Sequence, residues 1–98
     1  MYRQGDILIM PIPEESASRI MRPEPRDPRG RLVLAHGEAT GHCHAIPGPG
    51  TLSGGFLHLP EGGRLVHEEH DAISLPKGWY RVIRQREYVP GSFRVVAD

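Results

Sequence analysis

The sequence has only one cysteine, Cys43, so no disulfide can form within the chain. It lacks an apolar run of the roughly eighteen residues that a membrane-spanning helix needs. Its first residues also lack the basic and then apolar pattern of a secretory signal. Twelve basic and twelve acidic side chains give zero formal charge, which provides no overall attraction to nucleic acid or to a membrane. We therefore expect a soluble, cytoplasmic protein with no membrane partner.

Aromatic residues are few, whereas residues that interrupt helices are many. The 98 residues include one Trp, three Tyr and two Phe, against twelve Gly and ten Pro. A chain of this length forms a single domain, residues 1–98, with one modest core. Its composition favours short strands and many turns. The sequence therefore predicts an all-β fold, either a small barrel or a two-sheet roll of about six to seven short strands.

Apolar runs and prolines divide the chain into predicted strands and one long loop. The run "GDILIMPI" at 5–12 is too short for a helix and predicts the first strand. Residues 14–31 contain three prolines and five arginines, which predicts an exposed loop with at most a short helix at its start. The longest strand-like region is 72–89, where we expect Tyr80 to enter the core and Arg84 to point elsewhere.

All six histidines lie between positions 36 and 70, and two of them form an HxH pair. In an extended strand, His42 and His44 project from the same face while Cys43 faces the other way. Cys43 is therefore expected to be a small buried residue rather than a ligand or a nucleophile. The HxH pair predicts a two-nitrogen platform for a metal ion.

A second pair, His67 and His70, follows in "HEEHD" at 67–71. These residues would face opposite sides of a straight strand, but a turn at a strand end can bring them together. Imidazole is the commonest metal ligand. The two pairs together predict one divalent metal held by His42, His44, His67 and His70. Zinc is the first expectation, and iron, nickel and manganese remain open.

Carboxylates near the histidines would complete such a site. Glu68 and Glu69 are candidates for a catalytic base or a further ligand, and Glu38 and Asp71 for carboxylates that orient a ligating ring. Gln85 and Glu87 could share the site if their strand face looks inward. A metal with an open position would act on a small-molecule substrate, whereas a filled shell would make it structural. The sequence leaves open whether the protein is an enzyme.

Two other functions are compatible with the same residues. In the first, two histidines act without metal as general acid and base in RNA processing or phosphodiester cleavage, while Arg84, Arg86 and the arginine-rich loop bind phosphate. Zero net charge argues against this polyanion partner. In the second, the protein is a non-enzymatic barrel that forms a homo-oligomer by covering an edge strand.

The other two histidines, His36 and His58, are expected to be ordinary structural histidines.

The motifs also carry two resemblances. Gly37, His42 and His44, followed by "LPKG" at 75–78, resemble the corresponding motifs of cupins, which implies a small β-barrel that binds metal through His42 and His44. No Glu follows His44 at the spacing that cupins use, so the resemblance extends to no other ligand. The combination of "GEATGHCH", "HEEH", "LPKGWY" and "QREY" is similar to small bacterial and phage proteins of no established activity.

Overall fold

The computed structural model describes residues 1–17, 22–36 and 41–84, together with the backbone of the strands at 86–89 and 92–95. Within these residues the fold is all-β, which confirms the predicted class. The described sheets do not close into a barrel, and their arrangement fits a two-sheet roll. One turn of 3-10 helix, Glu14–Ser16, begins the arginine-rich loop. None of the described residues belongs to a helix long and apolar enough to cross a membrane.

The strands are short because glycines and prolines interrupt the apolar runs every few residues. The described residues contain more strands than the sequence predicts, since turns divide the longer runs. In chain order they are β1 (Tyr2–Gln4), β2 (Ile7–Ile12), β3 (Leu32–His36), β4 (Cys43–Ile46), β5 (Thr51–Ser53), β6 (Phe56–Leu59), β7 (Gly63–Leu65), β8 (Ile73–Leu75), β9 (Gly78–Arg84), β10 (Arg86–Val89) and β11 (Ser92–Val95).

Five strands form an antiparallel sheet in the order β1-β2-β9-β6-β5. Three antiparallel hairpins accompany it: β3 with β4, β7 with β8, and β10 with β11. A bridge joins β4 to the residue after β7, where Ala45 and Val66 exchange two backbone hydrogen bonds of 3.0 and 2.8 Å. This bridge fixes the segment that follows β7 beside β4.

The described core lies between the five-stranded sheet and the hairpins β3-β4 and β7-β8. On β2, Ile7 and Ile9 are fully buried while Met10 is exposed, which is the alternation expected of a strand with one face on a core. Burying a side chain of this size contributes about 1.5–3 kcal/mol. The remaining core side chains come from both layers: Leu32, Ile46, Leu52, Leu57, Leu59, Leu65, Leu75 and Tyr80.

One side-chain direction differs from the sequence prediction. Arg84 was expected to point away from the core, yet it reaches the fully buried Asp6. The reason is the two-residue period of β9, which places Arg84 on the same face as the core residues Tyr80 and Val82. Arg81, one step out of phase, is exposed.

Candidate metal centre

The HxH pair lies at the start of β4. Gly41 has a φ of 83°, a left-handed conformation that suits glycine and turns the chain into the strand. His44 is inside the strand and fully buried, whereas the His42 side chain is 25 % exposed. Cys43 faces the other way, where its Sγ accepts a hydrogen bond of 3.3 Å from Nη2 of Arg31. The buried Cys43 thus lies where the alternation predicts.

The bridge between Ala45 and Val66 brings the second pair over the first. The His67 ring lies with its centroid 4.4 Å from that of His44, 4.6 Å from that of His70 and 5.7 Å from that of His42. The centroids of His44 and His70 are 6.0 Å apart. All four predicted residues therefore form one group, which we call the histidine cluster: His42, His44, His67 and His70.

The chain's N-terminal hairpin supplies a neighbour of the cluster that the sequence reasoning missed. Gln4 is 2 % exposed, and its Nε2 donates hydrogen bonds to the carbonyl of Leu65 at 3.1 Å and to that of Asp71 at 2.9 Å. Its Oε1 lies 2.9 Å from Nδ1 of His44. Since the amide nitrogen is already committed to two carbonyls, its oxygen accepts the proton of His44 Nδ1.

A second missed residue, Asp6, lies on the opposite side of His44. Its Oδ1 is 3.5 Å from Nε2 of His44, and both side chains are fully buried. Its Oδ2 accepts a hydrogen bond of 2.6 Å from Nε of Arg84, whose Nη2 also donates to the carbonyl of His36. Oδ1 accepts no hydrogen bond from the described part of the chain. With its proton on Nδ1, neutral His44 directs the lone pair of Nε2 at this oxygen.

The two rings of the HxxH pair differ in how their nitrogens are used. Nδ1 of His67 accepts a hydrogen bond of 3.0 Å from the backbone N–H of Glu69, so a neutral His67 carries its proton on Nε2. Nε2 of His70 is buried and has no hydrogen-bond partner among the described residues. His70 thus offers a buried nitrogen that could bind a metal ion.

The two carboxylates proposed as catalytic lie at the edge of the cluster. Oε1 of Glu68 accepts the backbone N–H of Cys43 at 2.8 Å, and this hydrogen bond holds the pKa of the carboxyl below its usual value. Glu68 thereby ties the HxxH segment to β4. The Glu69 side chain is 58 % exposed, and its Oε1 lies 3.6 Å from Nδ1 of His42. Their catalytic role stays a prediction.

The donors are close together but are not in coordination geometry. Over residues 1–17, 22–36 and 41–84, no three His, Cys, Asp or Glu side chains are placed to hold a metal ion as they stand. Glu38 and Gln85 lie outside the described residues, as do the side chains of Arg86 and Glu87. The proposed phosphate ligand Arg84 is already engaged by Asp6 and His36.

The sequence contained one signal for the missed residues. Gln4 and Asp6 flank Gly5, and a Gly-Asp pair before an apolar run is read as a turn. Two polar residues separated by one position could instead have been read as sharing a face, like the HxH pair. Arg84 could have been found by counting in twos from Tyr80 along β9.

A cavity of about 380 Å³ lies beside the ion pair of Asp6 and Arg84. Its walls are largely apolar, from Ile7, Leu34, Leu52 and Val82, and Arg84 is among its lining residues. The guanidinium that binds Asp6 therefore also borders the cavity.

Comparison with known proteins gives a family but no activity. Neither the curated proteins nor the solved structures include a significant match to this chain. The family model of a domain of unknown function, DUF8820, matches residues 3–85, a span that includes β2 to β9, β1 except its first residue, and the whole histidine cluster. The chain therefore belongs to the DUF8820 family.

Proposed function

We propose that the histidine cluster and Asp6 bind one divalent transition metal ion, with zinc as the first expectation. The observation that carries this proposal is the approach of two buried electron-pair donors, Nε2 of His44 and Oδ1 of Asp6, to 3.5 Å. A lone pair that faces a carboxylate oxygen in a buried site is unfavourable unless a cation lies between them.

The spacing fits such a cation. Zinc binds imidazole nitrogen and carboxylate oxygen at about 2.0–2.2 Å, so two ligands at a tetrahedral angle lie about 3.4 Å apart. The 3.5 Å between His44 and Asp6 matches this separation. The hydrogen bond that Nδ1 of His44 donates to Oε1 of Gln4 also matches the way ligating imidazoles are usually oriented.

Further ligands come from the HxxH pair and from His42. His70 offers a buried Nε2, and the ring of His42 stands at the solvent edge beside His67. His67 would have to release the N–H of Glu69 before either of its nitrogens could bind the metal, because the neutral ring has one lone pair and uses it for that hydrogen bond. Metal binding therefore requires ring rotations in the HxxH segment around a preformed His44 and Asp6 pair.

Burial favours an ion over a larger substrate at His44. The ring is fully buried, so a phosphodiester cannot reach its nitrogens, whereas an ion needs only a narrow path past the partly exposed His42. The competing arrangement is a proton on Nε2 of His44, which would give a buried imidazolium and carboxylate pair without metal.

Metal content decides between these arrangements. Untagged protein, purified without chelator or added metal, is analysed by elemental mass spectrometry and then titrated with Zn²⁺. We expect about one equivalent per chain, lost in His44→Ala and His70→Ala. His58→Ala is the matched control, because His58 stacks on Trp79 at 4.0 Å, apart from the cluster, and it should keep full stoichiometry. Circular dichroism checks that each variant is folded.

Two results would contradict the proposal. One is a wild-type protein that contains no metal and takes up none on titration. The other is unchanged stoichiometry in folded His44→Ala and His70→Ala. If metal binds, the visible spectrum of the Co²⁺ form separates a closed four-ligand structural site from one with an open position for a small-molecule substrate.

A further inference from the structure

Gln4 makes contacts that join the two halves of the histidine cluster. It is the last residue of β1 and it is 2 % exposed, which is unusual for a glutamine. Its amide makes hydrogen bonds to the backbone at Leu65 and Asp71 and to the ring of His44. One side chain thus contacts β4 and both ends of the segment that carries His67 and His70.

The two backbone hydrogen bonds fix the orientation of the amide. A flipped amide would place its oxygen against the carbonyl oxygens of Leu65 and Asp71, 3.1 and 2.9 Å away, and both bonds would become repulsive. The oxygen must therefore face His44, where it accepts the proton of Nδ1. Gln4 consequently selects the form of neutral His44 in which Nε2 is directed at Asp6.

The same amide also holds the HxxH segment in place. Leu65 ends β7 and Asp71 precedes β8, so the segment 66–70 begins and ends at carbonyls that Gln4 binds. A segment pinned at both ends retains less freedom for its rings to move away from His44. The two hydrogen bonds of Gln4 therefore keep His67 and His70 close to His44, so that metal binding requires only local rotations of their rings.

We infer that Gln4 is the positioning residue of the metal site: its buried amide sets which nitrogen of His44 faces Asp6 and fixes the segment that bears His67 and His70. This inference rests on the proposed metal function. It assigns a role to a residue that contacts no metal itself, as outer hydrogen-bonding partners of ligating histidines do elsewhere.

Two substitutions separate the two parts of the role. Gln4→Glu keeps an oxygen acceptor for Nδ1 of His44 but cannot donate to the two carbonyls when ionised. Gln4→Leu removes both functions at similar volume. Ser53→Ala is the control, since Ser53 is also buried and its Oγ accepts the N–H of Arg22, away from the cluster.

The first readout requires no metal. In the metal-free wild-type protein, nitrogen-15 histidine NMR should show His44 protonated on Nδ1, the nitrogen that faces Gln4. Gln4→Glu should keep the proton on Nδ1, whereas Gln4→Leu should give a mixture of the two forms. Amide hydrogen exchange at 67–70 should be faster in both variants and unchanged in Ser53→Ala.

The second readout is Zn²⁺ affinity in competition with a chromophoric chelator. Gln4→Leu should bind about 10- to 100-fold more weakly than wild type, the range typical for lost outer partners of a metal ligand. Ser53→Ala should match wild type. A wild-type His44 without a proton on Nδ1, or a folded Gln4→Leu with unchanged affinity, would overturn this inference alone. No Zn²⁺ uptake by the wild type would overturn the proposed function together with it.

Discussion

Nε of Arg84 donates a hydrogen bond of 2.6 Å to Oδ2 of Asp6, so the last residue of β9 offsets the charge of a fully buried carboxylate. The other oxygen of that carboxylate faces His44. Arg84 therefore compensates the charge of Asp6 without occupying the oxygen that the proposed metal would use. Oδ2 of Asp6 therefore accepts the hydrogen bond of Arg84, while Oδ1 is the oxygen that would bind the proposed metal.

Removing Arg84 should destabilise the protein because it would leave a buried charge without its partner. Arg84→Met is expected to lower the free energy of unfolding by about 3 kcal/mol, the low end of the range for such losses, since Arg84 is one-third exposed. Urea denaturation of metal-free protein measures this. Adding Asp6→Asn should recover part of the loss, and Arg81→Met, on the exposed face of the same strand, should cost less than about 1 kcal/mol. A similar cost for the two single variants would contradict the role of the pair.

Gly62 lies at a turn where both the backbone conformation and the available space favour glycine over any other residue. Its φ is 77°, and an added Cβ would lie 2.8 Å from the carbonyl oxygen of Leu75. Gly62→Ala is expected to lower stability by about 2 kcal/mol, from both strain and this clash. Gly30→Ala has a similar φ of 79° but meets no atom within 4 Å, so it should cost only about 1 kcal/mol. The melting temperatures of the two variants measure this difference. Equal decreases in melting temperature would show that the positive φ alone, and not the clash with Leu75, sets the loss of stability.

Asp27 should make stability depend on pH in the acidic range. Its carboxylate accepts hydrogen bonds from the backbone N–H groups of Arg29 and Arg31 and from Nε of Arg31, and these lower its pKa below 3.8. A lowered folded-state pKa gives stabilisation that is complete above the unfolded value and is lost as pH falls through the folded value. Asp27→Asn should therefore be less stable than wild type at pH 7.

The difference between Asp27→Asn and wild type should shrink below about pH 4, where the wild-type carboxyl also loses its charge. Urea denaturation of both proteins at pH 7, 5 and 3 measures this difference in the free energy of unfolding. A constant difference across this range would mean that the carboxylate's charge contributes nothing, and that only the shape of the side chain matters.

Zinc should stabilise the folded state of the wild-type protein, because an ion that binds only the native state shifts the unfolding equilibrium. At a free concentration of 100 times its dissociation constant, the expected gain is about 2.7 kcal/mol. Thermal melts with buffered Zn²⁺ should rise for wild type and His58→Ala but not for His70→Ala, and chelator should reverse the rise. Mg²⁺, which prefers oxygen ligands, serves as the control ion and should leave all three unchanged.

Parts of this architecture could be predicted from local patterns, and parts could not. The two-residue period of a strand predicted that His42 and His44 share a face, and the turn-forming "HEEHD" predicted that His67 and His70 could meet. Both predictions depend on residues a few positions apart. The all-β class followed similarly from the prolines and glycines that shorten every apolar run.

The two-residue period could have assigned a face to each of Gln4, Asp6 and Arg84, but the contacts they make were outside the reach of such patterns. Their contacts with the cluster and with each other join residues 38 (Asp6 to His44) to 78 (Asp6 to Arg84) positions apart, and strand order sets these contacts, not local sequence. The order β1-β2-β9 brings Asp6 to Arg84, and nothing in "QGDIL" indicates that β9 is its neighbour. Metal identity, reaction and oligomeric state stay predictions.

The span between Asp6 and Arg84 also bears on how the site forms during synthesis. Every histidine of the cluster leaves the ribosome before Arg84 does, and Asp6 precedes them all. In the nascent chain, the four imidazoles and the carboxylate of Asp6 are therefore present before β9 has been synthesised. The guanidinium of Arg84, which offsets the charge of that carboxylate in the folded protein, comes at the end of β9. Because contacts this distant form slowly, the proposed metal site should be completed late in folding, after the sheet has acquired β9.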